Sequence, residues 1–157
     1  MIHYIFDKTL PKNIPLLFKK RAEEFPDIKL QAYKNAQGKF EYSSYSRVYH
    51  EVICFADALS KLGIKKGSNV ALISDNRREW LITDLAIQSL GGADVPRGCD
   101  SMGNEIRFII DFADCEMGFF ENLVKIFIFF RIIDGMFGFS VSYDCIYCIS
   151  VIRGSVF

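Results

Sequence analysis

Three short, mostly apolar runs, NVALIS at 69–74, ADVP at 93–96 and CEMGFFE at 115–121, each follow a stretch with helical spacing. This alternation constrains the fold more than any other feature. Short continuous apolar runs suit strands covered on both faces. The spacing of Tyr45, Val48, Tyr49, Val52, Ala56, Leu59 and Leu62 suits one face of a helix. Ser43 or Ser44 can cap that helix, and Gly63 stands where the chain must leave it. REWLITDLAIQSLGG reads as a second amphipathic helix and GNEIRFIIDFAD as a third. Helix–strand repeats of this kind predict a parallel sheet with right-handed crossovers. Val70, Ala71, Leu72 and Ile73 are expected to form a buried parallel strand flanked by helices over Tyr45–Leu62 and Glu79–Leu90.

Upstream lie a helix and a hairpin. Asn13 can cap LLFKKRAEEF, Pro15 suits its first turn, and Pro26 stops it. Its expected apolar face holds Leu16, Leu17, Phe18, Ala22 and Phe25. IKLQAYK and KFEYSS alternate roughly about NAQG, the pattern of a β-hairpin.

In a parallel sheet, the loops after the strands often line a ligand crevice. Here those loops are SDNRR and PRGCDS, which otherwise read as solvated connections. Arg97 can present a fork of donors to an anion just past a strand, although a structural role is the plainer reading. Arg77 and Arg78 stand at a helix start, where cations oppose the helix dipole, and are expected to be solvated or paired with Glu79 or Asp75. His3 and His50 have no metal-ligand spacing, and His50 reads as a surface residue. Cys145 and Cys148 form a C-x-x-C without a second ligand pair, so chance spacing is the better reading. Neither G-x-G-x-x-G nor G-x-x-x-x-G-K-S/T occurs. The zero net charge gives no case for nucleic acid or anionic lipid as a partner. The start of the chain lacks a secretory pattern and the five cysteines are an odd number, so a cytoplasmic location is expected.

Residues 42–122 carry more. YSSY, then FADALSKLGIKKGSNVALISDN, then IQSLGGADVP, then EIRFIIDFADCEMGF appear in order. They resemble the patterns S/T-Y-x-E/Q-L, A-x-x-L-x-x-x-G-V/I-x-x-G-D-x-V-A, A-G-A-x-x-V-P and E-L/I-x-Y of the AMP-forming acyl-CoA synthetases, in the adenylate-forming superfamily. SDNRREW and GGADVPRGCDS look most like bacterial long-chain fatty-acid–CoA ligases. The resemblance implies an α/β fold: a partial parallel-sheet subdomain from the N-terminal domain of that family, followed by an unassigned apolar tail. It also implies the family's reaction, in which fatty acid and ATP with magnesium give an acyl-adenylate and pyrophosphate, and CoA then takes the acyl group. Fatty acid, ATP and CoA are thus the partners of a complete enzyme. The family's phosphate loop, ribose-binding aspartate and catalytic lysine match no position here. No catalytic, cofactor-binding or metal residue carries over, and no cofactor is expected on this chain by itself.

Leu123–Phe157 reads differently. It has no alanine, glutamate or proline and crowds phenylalanine and isoleucine. A spanning helix needs about 20 mostly apolar residues. Lys125, Arg131, Asp134, Asp144 and Arg153 leave no uncharged run longer than nine, so membrane contact has little support. A continued core would need turn signals that are sparse. Composition and resemblance break together near Asn122, which favours a change of reading frame there. The expected organisation is a synthetase-like portion over 1–122 and a non-family tail over 123–157. The expected function is a truncated, inactive ligase N-terminus, with a non-catalytic interaction module or one part of a split synthetase as alternatives. KIFIFF and CIYCISV are β-prone windows without proline, so aggregation of the full chain is also expected.

Overall fold

The computed structural model describes residues 11–115, 117–121 and, as backbone, 150–153. The first helix, α1, spans Ile14–Glu24; the Asn13 side chain accepts from the Leu16 N–H at 2.9 Å and Pro15 lies in the first turn. These are the two signals read from the sequence. The expected apolar face is narrower than predicted. Ala22 is buried and Phe18 packs against the rings of Tyr45 and Tyr49, while Leu16, Leu17 and Phe25 are exposed. One small residue and one ring suffice to seat this short helix on the next one.

Strands β1 (Lys29–Lys34) and β2 (Phe40–Ser44) form the antiparallel hairpin, with Lys34 opposite Phe40. Its turn is built locally. Asn35 Oδ1 accepts from the N–H groups of Gln37 and Lys39, each at 3.0 Å, and Gly38 takes the left-handed φ of 75° that a side chain would resist. Helix α2 spans Tyr45–Lys61, capped by Ser44, and leaves its axis at Gly63 with φ 98°.

From there the alternation expected from the sequence is realised: β3 (Asn69–Ile73), α3 (Arg78–Ser89), β4 (Ala93–Arg97), α4 (Gly103–Phe112) and β5 (Met117–Phe120). β3 lies centrally, parallel to β4 on one side and to β5 on the other. A further strand, β6 (Ser150–Arg153), pairs antiparallel with β5, placing Ser150 opposite Phe120. β6 overlaps the end of the β-prone window CIYCISV, but the sequence carries no signal of its pairing with β5. The rest of the apolar tail, with Cys145 and Cys148, lies outside the described residues, as does His3. Among the described residues, no helix is long and apolar enough to cross a membrane.

Residues 70–73 are buried, as expected, but the covering helices are arranged differently. Val70 and Leu72 point to one side, into a cluster with Val48, Val52 and Leu59 of α2, Ile82 and Leu85 of α3, and Phe119. Ala71 and Ile73 point to the other, against Ile106 and Ile110 of α4 and Phe120. Thus α2 and α3 share one face, and α4 covers the second. The strand order β4-β3-β5 supplies the reason. The β3-to-β4 step and the β4-to-β5 step run in opposite directions across the sheet, and right-handed crossovers in opposite directions must use opposite faces.

Asp84 on α3 introduces a pH dependence. Burial, then the neighbouring Asp94 of β4, pushes its carboxyl from an ordinary value of 3.8 up to about 6. The folded state therefore favours the protonated acid. The favourable contribution is complete below pH ~4 and is lost as the pH rises through about 6. The variant D84N is expected to be more stable than the parent at pH 7.5, with the difference vanishing toward pH 4. Thermal melts at both values would check this, and a constant difference across that range would refute it.

Candidate functional site

The carboxyl ends of β3, β4 and β5 converge, and the two sequence-predicted loops meet there. After β3 the chain enters α3 on one face of the sheet, whereas after β4 it enters α4 on the other. Neighbouring parallel strands whose loops diverge in this way leave a crevice between them. Ser74, Asp75, Asn76, Trp80, Pro96, Arg97 and Gly98 line a cleft of about 340 Å³ at this point. Arg97, the sequence candidate for anion contact, stands exposed at its lip as the last residue of β4.

The loops are tied to one another. The Ser74 N–H donates to the Arg97 carbonyl at 3.0 Å, extending the β3–β4 pairing by one step. The Cys99 N–H donates to Asp75 Oδ1 at 3.2 Å. Glu121, one residue past β5, reaches both loops: its Oε2 accepts from the Asp75 N–H at 2.8 Å, from the Cys99 thiol at 3.0 Å and from the Ser74 hydroxyl at 3.3 Å. Sequence reading missed Glu121, because a glutamate at the end of a strand pattern carries no local signal of partners so far back in the chain.

Electrostatics follow from these contacts. The Asp75 N–H, then the Cys99 thiol, hold the Glu121 carboxyl below its ordinary value. Burial, then donation to Glu121, pushes the Cys99 thiol up to about 11. At neutral pH the pair is a carboxylate and a neutral thiol. Asp75, Cys99 and Glu121 each place a ligand atom within 4.8 Å of the others. In that state the thiol is a weak nucleophile, since attack needs the thiolate.

The two arginines diverge. Arg77 behaves as expected, donating to Glu79 at 2.8 Å, with Glu121 at 3.9 Å. Arg78 corrects the expectation. Its side chain is only 10% exposed and pairs with Glu51 of α2, donates to the Ser43 hydroxyl at 3.4 Å and lies over the Tyr33 ring. It fastens the hairpin to α2 and α3. Beside it, Gln31, Tyr33, Lys34, Arg77 and Trp80 line a second cleft of about 590 Å³. His50 is exposed, as expected, with its Nε2 3.6 Å from the Cys54 sulfur.

A parallel α/β sheet with a crevice at its switch point is a ligand-binding class of fold. Comparison with known proteins narrows the class. The model of the family described as AMP-binding enzyme matches residues 18–127, and the chain belongs to that family. A chloroplastic long-chain-fatty-acid–acyl-carrier-protein ligase of Arabidopsis thaliana is 30% identical over 97 residues, covering 60% of this chain and 13% of that protein. A crotonobetaine/carnitine–CoA ligase of Proteus mirabilis is 34% identical over 79 residues, covering 50% of this chain and 15% of that protein. The N-terminal subdomain of NpsA from Klebsiella oxytoca superposes with a TM-score of 0.65 at 20% identity, over 72% of this chain and 28% of that one. The chain shares the fold of that N-terminal subdomain, and it spans less than a third of the length of the proteins it matches.

Proposed function

We propose that this chain is the N-terminal scaffold of a long-chain fatty-acid–CoA ligase, cytoplasmic and inactive in isolation. The observation that carries the reading is the family match over residues 18–127, which falls on the β3–β5 sheet and the helices that cover it. A long-chain acyl group is supported by the long-chain ligase among the relatives. The carnitine–CoA ligase marks the competing class of shorter, charged acyl groups.

Arg97 offers the crevice an exposed cation, set among acidic neighbours. Asp75 and Glu121 bring carboxylates to the loop ends, and Arg77 is engaged by Glu79 and Glu121. In this reading ATP, magnesium and CoA belong to the complete family enzyme, where adenylation would supply the leaving group. This portion contributes the sheet, the crevice loops and their alignment, a positioning role.

Pyrophosphate exchange dependent on a long-chain fatty acid tests the reading directly. The purified chain is expected to give only the blank rate. Exchange above the blank that E121A or a similar point change abolishes would overturn it. A second reading, one part of a split synthetase, is favoured by the outer side of α4, where Met102, Phe108 and Phe112 are 64%, 66% and 79% exposed. Phe108 and Phe112 stack there as an aromatic patch beside the exposed Arg107–Asp111 ion pair, a mixed surface of the kind a further covering layer uses.

A further inference from the structure

We propose that Glu121 is the positioning residue of the crevice, a single carboxylate that sets the relative placement of the β3–α3 and β4–α4 loops. The proposal rests on the reading of this crevice as the ligand-facing edge of the chain. Three features carry it.

First, Glu121 is itself firmly placed. Its N–H donates to the Ile73 carbonyl at 3.1 Å, so its backbone continues the β3–β5 pairing beyond the last strand residue. Second, its carboxylate receives donors from both loops: Ser74 and Asp75 from the first, Cys99 from the second, with the Arg77 guanidinium at 3.9 Å. Third, beyond the Ser74 N–H to Arg97 carbonyl bond that extends the strand pairing, the two loops meet through a bond that Glu121 does not itself make, from the Cys99 N–H to Asp75 Oδ1. Asp75 is aimed at Cys99 because its own N–H is held by Glu121. Removing the carboxylate frees the Asp75 backbone, and the Asp75–Cys99 bond loses its alignment although neither partner has changed. The consequence for a ligand is direct, since Ser74, Asp75 and Gly98 form the crevice walls.

Charge-assisted hydrogen bonds of this kind exceed neutral ones, so their loss should be visible in local opening. The test is residue-resolved amide exchange on the full chain and on its E121A and E121Q variants. In E121A the Cys99 amide is expected to exchange about tenfold faster or more, while the β3 amides of Val70 and Leu72 keep their rates. E121Q retains a carbonyl acceptor and is expected to stay within about threefold of the parent at Cys99. An unchanged Cys99 amide in E121A would overturn the proposal. So would equal acceleration at Cys99 and Leu72, which would make Glu121 a general stabilising residue. Failure of E121Q to rescue Cys99 would likewise count against a hydrogen-bonded latch. A fatty-acid-dependent exchange signal from the unaltered chain would instead sink the scaffold reading and leave these amide rates as they are.

Discussion

Replacing Arg78 with alanine is expected to destabilise the fold by about 1.5–3 kcal/mol, the range for losing hydrogen bonds to a charged group. Arg78 is 10% exposed and Glu51 is 17% exposed, so little water reaches either group. The guanidinium also donates to Ser43 and covers the Tyr33 ring, so one deletion loosens β1, β2, α2 and α3 together. The Glu51 carboxylate would then lie half-enclosed without its buried cation, leaving only the exposed Arg47 at 3.3 Å. Removing both charges should cost less, because neither is left unpaired. The double variant E51L/R78M is therefore expected to be more stable than R78A. Urea unfolding of the three proteins would show this as a large drop in midpoint for R78A that the double variant partly recovers. A loss below about 0.5 kcal/mol in R78A would place the pair among surface ion pairs, which contribute little.

The variant F119A is expected to cost about 3–5 kcal/mol, the range for truncating a buried aromatic ring. Phe119 is 1% exposed and sits in the middle of β5, opposite Leu72 of β3. Its ring meets that of Phe55 with centroids 5.7 Å apart, so it joins the sheet to α2. The two exposed rings of α4, on the other face of the sheet, supply a control. Phe112 is 79% exposed, and F112A is expected to change stability by no more than about 0.5 kcal/mol. Thermal or urea unfolding of both variants would check the contrast. Similar losses in the two would mean that α4's outer face is covered in solution.

Both outcomes depend on contacts of different range, and so did the legibility of the fold. Asn13 and Ser44 were readable as helix caps because each accepts from a backbone N–H three residues ahead. Gly63 was readable as a helix end because the left-handed turn disfavours a side chain there. The β3 run was readable because a strand covered on both faces needs apolar residues at every position. Arg77 was readable because its partner, Glu79, lies two positions away.

By itself, the sequence determined the order and approximate extent of the helices and strands from α1 to β5, the parallel class of the sheet, the two crevice loops and the family. Each of these follows from backbone preference, apolar period or a motif contained within a few turns of chain. Only the tertiary structure decided that α4 takes the face opposite α2 and α3, that β6 closes the sheet beside β5, that Arg78 reaches Glu51, and that Glu121 joins the two loops. The physical reason is separation along the chain. Glu51 stands 27 residues from Arg78, and Asp75 stands 46 from Glu121. A charge in the sequence has many possible partners at such range, and packing of the sheet and its helices selects one.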